Sequence, residues 1–275
     1  MQKNDPMTLA VLAWRSALQA RFVMLGGLFV LTVLQIILVG QASALEASHS
    51  YSRMIEFVPA FLQRGLGSTS LLLVTFKGTV ALGYFHPVVS VLISILAVYF
   101  VTEPAHEVEA GLVDITLARS VPRHIVVTRS LLLALGAVTA AAVLMTAGTR
   151  LGLRLFASPE FDAPSARASV SMLVHLASVA LCFAGFGLFV ATGARRWTTA
   201  FTTVGFTVVI MYLVDFLAIG WPPMRQIAWI SPFHYYPALS ILTREAPEWR
   251  SIGILLTAAT LFCILGYWRF NRRDL

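Results

Sequence analysis

Six long apolar runs, almost free of charged residues, limit most strongly what this chain can fold into. A helix needs about 20 mostly apolar residues to cross a hydrocarbon core of roughly 30 Å. A lone strand would leave its backbone polar groups unpaired in lipid, so each run must be helical. The runs are Phe22–Gly40, His86–Thr102, Ser130–Gly148, Ala168–Gly193, Thr198–Ala218 and Ser251–Trp268. The sequence therefore predicts an all-α, polytopic membrane protein with six transmembrane helices.

The composition agrees with a membrane protein and excludes several other classes. Apolar residues make up 58% of the chain and charged residues 12%, with a mean hydropathy of +0.80. Soluble domains carry about 25% charged residues, and disorder requires low hydrophobicity. The two cysteines, Cys182 and Cys263, lie in apolar runs, which excludes a disulfide scaffold. The net charge of +7 reflects arginines at the ends of these runs, which indicate topology and not nucleic-acid binding. Residues 1–275 are predicted to form one domain.

The stretch Ser68–Phe85 is apolar enough to insert but carries Lys77 near its middle. An ionised lysine at the bilayer centre costs roughly 2.5–3.5 kcal/mol on insertion scales, and Gly78 and Gly83 weaken a helix further. We therefore expect an interfacial or half-inserted helix that leads into the second span, with a break at Pro87. Lys77 either snorkels to the interface or pairs with a lipid phosphate or a substrate anion.

The distribution of Lys and Arg predicts that both termini face the cytoplasm. In that orientation the inner segments hold eleven of these residues in 59 positions, against eight in 77 positions of the outer loops. Cytoplasmic loops carry the excess of Lys and Arg in membrane proteins. Residues 1–21 predict an amphipathic interfacial helix, whose apolar face consists of Met7, Val11, Trp14 and Leu18.

The longest inner segment, 103–123, separates its charges along its length. Carboxylates crowd its start and cations its end, an order that complements a helix dipole. The acids are Glu103, Glu107, Glu109 and Asp114, and the cations that follow are Arg119, Arg123 and Arg129. Pro122 breaks the helix before the third span. The pattern predicts a helix that lies along the membrane and presents its acids to a soluble partner; a solvated turn with dipole-matched charges is the alternative.

The last outer loop combines turn residues with aromatic side chains. Paired prolines at Pro222-Pro223, a turn at Ser231 and an apolar run through Leu242 predict short re-entrant helices before the sixth span. Four residues are candidates for the transport pathway or its outer gate: Asp215, Phe233, Tyr235 and Tyr236. Two other interpretations stay open, namely an aromatic belt at the interface and an Asp215 carboxylate that is hydrated or paired with a loop arginine.

The chain lacks the sequence motifs of ATP hydrolysis and metal catalysis. No segment matches G-x-x-x-x-G-K-[ST], and neither H-E-x-x-H nor C-x-x-C occurs. The six histidines are scattered, without two at metal-ligand spacing on one helix. We therefore expect a chain that is not an enzyme, has no catalytic residue and binds no cofactor or metal itself.

Three short motifs resemble those of type-2 ATP-binding-cassette exporter permeases. The residues EVEAGL from Glu107, followed by LARSVPR up to Arg123, resemble the family's E-x-E-x-G-T-L…L-L-x-x-P-x-x-R signature. The ending FNRRD from Phe270 resembles its F-x-R-R-D terminus, and SPF from Ser231 its S-P-F turn before the last span. The six-span layout, the first interfacial helix and the outer re-entrant helices are also similar.

The sequence departs from this family pattern at three positions. Leu112 stands where Thr is usual, Thr116 replaces one Leu, and Arg123 directly follows Pro122 instead of standing three residues on. These departures concern the subfamily and the substrate more than the family.

The resemblance implies the permease subunit of an exporter in the cytoplasmic (inner) membrane of a prokaryote. Two copies of a separate ATPase would bind ATP and Mg, and a second permease chain, identical or a sibling, would complete the assembly. The segment 103–123 would lie in a cleft of the ATPase and drive alternating access. Its acids would meet basic or amide groups there, Gly111 would allow close contact, and Pro122 and Arg123 would set the angle into the third span. The apolar spans favour a hydrophobic or amphipathic substrate.

Two other functions remain open from the sequence. An ion-driven secondary carrier would need charged or broken segments near the midplane in corresponding positions of two repeats; Lys77 and Asp215 qualify, but no repeat supports them. A non-transporting membrane scaffold or maturation factor would use the acidic segment only as a docking surface.

Overall fold

The computed structural model describes residues 6–51, 72–111 and 123–272, and every regular element in these ranges is helical. The α-helices are α1 (Pro6–Gln19), α2 (Arg21–Ala47), α3 (Phe76–Phe85), α4 (Pro87–Val101), α5 (Glu103–Glu109), α6 (Arg123–Phe156), α7 (Ala166–Ala191), α8 (Trp197–Ala218), α9 (Pro222–Arg225), α10 (Ala238–Arg244) and α11 (Trp249–Asn271). Short 3-10 turns lie at Leu72–Val74, Ala228–Ile230 and Pro232–Tyr235. The predicted all-α fold is confirmed.

Six helical stretches in the described ranges are long and apolar enough to cross a membrane. They are Arg21–Ala47, Phe76–Val101, His124–Phe156, Ala166–Ala191, Trp197–Ala218 and Trp249–Asn271. Each of the six predicted runs overlaps one of them, so the predicted number of spans is confirmed. Helix α6, with 34 residues, is the longest. At 1.5 Å per residue it reaches about 51 Å, well beyond a hydrocarbon core of roughly 30 Å.

The second span contains most of the stretch that the sequence analysis assigns to an interfacial or half-inserted helix. Helix α3 and helix α4 together form one 26-residue candidate span, Phe76–Val101. The His86 amide still donates to the Leu82 carbonyl at 2.7 Å, and Pro87 starts α4, so the helix is interrupted at a single residue. The predicted break at Pro87 is present, the depth of α3 in the membrane stays a prediction, and residues 68–71 lie outside the described ranges. The number of spans, and with it the side of every later loop, is unchanged.

Lys77 lies in the first turn of this span and forms an ion pair. Its Nζ is 3.0 Å from Oε1 of Glu245, which caps the end of α10 in a left-handed conformation with φ of 53°. Hydrogen bonds from Lys77 and from Ser165 lower the pKa of the Glu245 carboxyl. The cation therefore has a partner inside the chain, in place of the lipid phosphate or substrate anion considered from the sequence.

Helix α7 lies at the centre of the bundle, where small residues let its neighbours approach. It packs against α4, α6, α8 and α11. A Cβ added to Gly185 would lie 2.5 Å from the Ala259 carbonyl oxygen of α11, and one on Gly187 would lie 3.0 Å from the Val101 side chain. Membrane helices associate closely through such residues. Both glycines therefore serve close helix packing.

Replacing Gly185 with alanine is expected to lower the stability of the bundle by about 1–3 kcal/mol, because the backbone of α11 occupies the space of the new methyl group. The matched control is Gly205→Ala on α8, where no described atom lies within 4 Å of an added Cβ. The thermal unfolding midpoint of each purified variant is the measurement. Equal midpoints for the two variants would contradict the close α7–α11 contact.

The bundle has two ends, which we name after the short helices they carry. The α5 end holds α1, α5, the first turns of α6 and α8, and the last turn of α11, where the Arg269 guanidinium lies against Gly193. The α10 end holds α9, α10, the 3-10 turns and the start of α3. The short helices predicted before the sixth span are thus present, while their re-entry into the membrane stays a prediction.

Helix α1 precedes the first span at the α5 end. Of the apolar face predicted for it, Val11, Trp14 and Leu18 are exposed, whereas Ser16 is buried on the opposite side. The side chain of Met7 and residues 1–5 lie outside the described part. The helix thus has an exposed apolar face of the kind that suits a membrane surface.

Candidate functional site

Helix α5 follows the second span after a single residue, Thr102, ends at Glu109 and is followed by Ala110 and Gly111. Pro104 suits the first turn, where no amide partner is needed, and Glu103 stands at the positive end of the helix. Gly111 has φ of +66°, a conformation that favours glycine, and no described atom lies within 4 Å of a Cβ added there. The backbone thus requires this glycine, and its close contact with a partner protein stays a prediction.

Arg129, on the second turn of α6, is the buried centre of the site. Its side chain is 2% exposed, and its Nη1 lies 3.0 Å from Oε1 of Glu107. Its Nη2 lies 3.7 Å from Oε1 of Glu103, too far for a hydrogen bond. One guanidinium therefore faces two carboxylates of α5 and fixes this short helix to the third span.

This ion cluster is incompletely satisfied. Oε2 of Glu107 and both Nε and Nη2 of Arg129 have no hydrogen-bond partner among the described residues. Burial raises the pKa of the Glu103 carboxyl, and the Arg129 charge and a hydrogen bond from Ser16 offset this only in part. Removing one member of a buried ion pair typically costs about 3–5 kcal/mol, because the other charge is left uncompensated.

A pH-dependent contribution to stability follows from the raised pKa of Glu103. The folded state holds this proton more tightly than the unfolded state, so the contribution grows as the pH falls from neutrality and is lost as it rises through the folded pKa. Glu103→Gln removes the titration. We expect the unfolding midpoint of the wild type, relative to this variant, to rise on acidification. Parallel curves for the two proteins would contradict the burial of an ionisable Glu103.

Glu109 caps the first turn of α8. Its Oε2 accepts the backbone amide of Trp197 at 2.8 Å, while the neighbouring Arg196 provides no side-chain cap to this helix in the described structure. A carboxylate at a helix N-terminus is favourable both as an acceptor and through the helix dipole. Glu109 itself is exposed, so α5 is tied to the fifth span by a contact that water can reach.

Trp197 provides the second link between α5 and α8. Its indole Nε1 donates to the Thr102 hydroxyl at 3.2 Å, and its ring stacks on Phe201 with centroids 5.1 Å apart. The rings of Tyr99 and His106 lie edge-on to it at 6.1 and 6.2 Å. The start of α8 is thereby held against the end of α4 and against α5.

The remaining residues proposed for ATPase coupling lie at the edge of the described structure. Asp114 and Pro122 lie outside the described residues, and Arg123 begins α6 with a side chain that is not described. The structure therefore brings together Glu103, Glu107 and Glu109 with residues of α6 and α8. Of the residues that the sequence assigns to a soluble partner, Glu109 and Gly111 are exposed, together with their neighbours His106 and Ala110.

The four candidates at the α10 end are mostly engaged in packing. Oδ1 of Asp215 lies 3.7 Å from Nδ1 of His234, so among the described residues its partner is a histidine and not a loop arginine. Phe233 is buried against Phe183 and Tyr212, and the Tyr235 hydroxyl donates to the Trp229 carbonyl at 3.0 Å. These contacts fold the loop against α7 and α8; a role in a pathway or gate stays a prediction.

Tyr236 belongs to a buried polar cluster that the sequence does not reveal. Its hydroxyl donates to the Tyr84 carbonyl at 3.1 Å, and the Tyr84 hydroxyl donates to Thr149 at 2.9 Å. Thr149 donates in turn to Gln35, whose amide donates to the Gly83 carbonyl. These bonds join α2, α3 and α6 to the loop before α10. Hydrogen bonds between helices stabilise packing in lipid, where unsatisfied polar groups are costly.

Comparison with known families decides the identity of this six-span bundle. A sequence model described as ABC-2 family transporter protein matches residues 19–275, which include all six spans and α5. The chain belongs to the ABC-2 transporter family. Searches of curated proteins and of solved structures found no match.

As an ABC-2 permease, the chain is a transmembrane subunit of an ABC transporter, and the family implies an ABC ATPase subunit as its partner. The match confirms the resemblance read from the short motifs. It begins at residue 19 and so leaves α1 almost entirely outside it. The ion cluster of the ABC-2 permease, formed by Glu103, Glu107 and Arg129, lies inside the matched region.

Sequence reasoning missed Arg129 and Trp197 as members of this site. The sequence analysis treats Arg129 only as one of the cations after the acidic segment and does not consider Trp197. A signal was nevertheless present, because an arginine at the start of a membrane helix requires a nearby anion or water. Trp197 gave no comparable signal, since tryptophan is common at the ends of membrane helices.

Proposed function

We propose that this permease couples ATP hydrolysis by a separate ATPase subunit to export of a substrate by alternating access. The assembly contains two permease chains, as a homodimer, and two ATPase subunits. It lies in the cytoplasmic membrane of a prokaryote, with both termini and the α5 end in the cytoplasm. ATP and Mg²⁺ bind to the ATPase subunits, and the permease itself holds no cofactor.

The observation that carries this proposal is the attachment of α5 to several spans at once. Glu107 and Glu103 attach it to α6 through Arg129, and Glu109 attaches it to α8 through the Trp197 amide. Thr102 continues it directly into α4. A displacement of this short helix therefore reaches the ends of three spans through ion pairs and hydrogen bonds. Such rigid attachment suits the transfer of a subunit movement into rocking of a bundle.

The exposed surface at α5 is small in the described part of the chain. His106, Glu109 and Ala110 are exposed, whereas Pro104 and Ala105 are buried against the bundle. Glu109 uses one carboxylate oxygen for the Trp197 amide, and the other oxygen of this exposed side chain is the one we assign to a donor on the ATPase. The face of α5 that packs against the bundle thus transmits force to the spans. The exposed face receives that force from the ATPase.

The two charged residues that an ion-driven carrier would use do not support that alternative. Lys77 is paired with Glu245 and Asp215 with His234, and both pairs lie at the α10 end. Neither pair lies at the middle of a span, where a coupling ion would bind.

The docking role of α5 is tested with Ala110→Trp, which adds a bulky ring to the exposed end of the helix without touching the ion cluster. We expect the co-expressed ATPase to be lost from the purified complex and its permease-stimulated hydrolysis to fall at least about tenfold, equivalent to about 1.4 kcal/mol of binding. Ser158→Trp, at an exposed position of the α6–α7 loop, is the matched control. Full ATPase recovery with Ala110→Trp would contradict the proposal.

A further inference from the structure

A cavity of about 270 Å³ lies between α1 and α5 at the α5 end, and we call it the α1–α5 cavity. Its walls come from α1, from the end of α4, from α5 and from the first residue of α8. The residues that give it its chemistry are Ser16, Gln19, Tyr99, Glu103, His106 and Trp197. Their role does not follow from the attachment of α5 described above.

The cavity contains a carboxylate that shares a cation with a second carboxylate. Arg129 directs its close contact to Glu107 at 3.0 Å and stays 3.7 Å from Glu103. Among the described residues, the charged groups that act on Glu103 are Arg129, Glu107 and His106. In this part of the chain two carboxylates, Glu103 and Glu107, therefore share the Arg129 guanidinium. Glu103 lines the cavity, whereas Arg129 is not among the residues that line it.

Aromatic rings form the other walls. Tyr99 and Trp197 meet nearly at right angles, with an interplanar angle of 85° and centroids 6.1 Å apart. Ring faces attract cations within about 6 Å of their centroids, and the attraction increases when the cation is desolvated. A partly buried carboxylate beside two perpendicular rings is a combination that favours an organic cation over an anion or a neutral apolar group.

The volume and the position of the cavity further limit the kind of ligand that it can hold. Pockets for drug-sized molecules measure about 300–1,000 Å³, so this cavity suits a smaller group. It adjoins the end of the second candidate span and the start of the fifth, and the ends of membrane spans are where headgroups and water meet. The amphipathic helix α1, with Trp14 exposed, covers one side of it.

We propose that the α1–α5 cavity binds an alkyl-substituted ammonium group, held by the Glu103 carboxylate and the faces of Tyr99 and Trp197. The group is either the headgroup of an aminophospholipid or part of a soluble amine. The site exists independently of ATP hydrolysis, so its test does not depend on the proposed transport function. A bound cation adds a positive charge beside the two carboxylates that share Arg129 and joins α1 to α5.

The test uses the purified full-length protein and tetramethylammonium chloride as the probe, with sodium chloride at equal ionic strength as the reference. Tetramethylammonium is expected to raise the thermal unfolding midpoint above the sodium reference in a saturable way. Glu103→Gln should weaken its apparent affinity about tenfold, as expected for loss of a charged partner. Tyr99→Leu, which keeps the carboxylate, should weaken it about threefold to tenfold.

Glu160→Gln is the matched control, because it removes an exposed carboxylate in the α6–α7 loop at the α10 end. Its tetramethylammonium affinity should equal that of the wild type. The proposal is overturned if tetramethylammonium and sodium act alike on the wild type, or if Glu103→Gln and Glu160→Gln give the same affinity.

A second measurement distinguishes the two sources of the ammonium group. Wild type and Glu103→Gln are purified from membranes that contain phosphatidylethanolamine and phosphatidylglycerol, and the retained lipids are quantified. Selective loss of phosphatidylethanolamine from the variant identifies a lipid headgroup as the ligand. Equal retention of both lipids, together with tetramethylammonium binding by the wild type, identifies a soluble amine.

Discussion

Replacing Arg129 with methionine is expected to lower the free energy of unfolding by about 3–5 kcal/mol. The methionine fills much of the same space, but the carboxylates of Glu103 and Glu107 then lie together in a buried site with no cation. The change should appear as a large fall in the thermal unfolding midpoint and in the yield of monodisperse protein. A variant as stable as the wild type would contradict the buried ion cluster.

A triple variant separates stability from coupling at this position. Adding Glu107→Met and Glu103→Gln to Arg129→Met removes every charge of the cluster, and uncharged buried replacements are often as stable as the ion pair they replace. We expect this variant to regain most of the lost stability while permease-stimulated ATP hydrolysis stays uncoupled from transport. If coupling returns together with stability, the ion cluster is structural and does not transmit force from α5 to α6.

Replacing Trp197 with alanine is expected to lower stability by about 2–3 kcal/mol, somewhat less than for a fully buried tryptophan. The variant loses the hydrogen bond to Thr102, the stacking on Phe201 and the contact with Tyr99. Because these contacts hold α8 against α4 and α5, the coupling of ATP hydrolysis to transport should fall more steeply than the unfolding midpoint. Both quantities are measured on the reconstituted complex.

Two control variants show whether the effect of Trp197→Ala is specific to the indole and to the α5 end. Trp197→Phe keeps an aromatic ring for stacking but lacks the indole donor, so it should retain more stability and coupling than the alanine variant. Trp229→Ala removes an exposed tryptophan, 62% accessible, at the opposite end of the bundle. A loss of coupling in Trp229→Ala as large as in Trp197→Ala would show that the effect is not specific to the α5 end.

The spans of this protein were predictable from sequence because their cause is local. A run of about 20 apolar residues contains within itself the reason for crossing a bilayer, and all six candidate spans follow from that rule. At the start of the second span, the sequence shows Lys77 as an isolated charge. Its partner Glu245 stands 168 residues away, and no local pattern reveals a contact at that separation.

The candidate site was only partly predictable for the same reason. The carboxylates of Glu103, Glu107 and Glu109 were identified from their spacing and from the family signature, but the sequence assigned them an outward direction. The structure turns Glu107 inward to Arg129, because a buried guanidinium at the start of α6 needs an anion. The direction in which each of these carboxylates points depends on which helix packs beside α5. That packing is a property of the tertiary fold.

The most direct test of the central claim is a cross-link from the exposed end of α5 to the ATPase subunit. Cys182 and Cys263 are first replaced with alanine, a single cysteine is placed at Ala110, and a photoreactive maleimide is attached in inverted membrane vesicles. The account predicts an adduct with the ATPase from position 110 and none from a cysteine at Ser158. An adduct from Ser158 instead, or reaction of the residue 110 thiol with an impermeant reagent in intact cells, would contradict it.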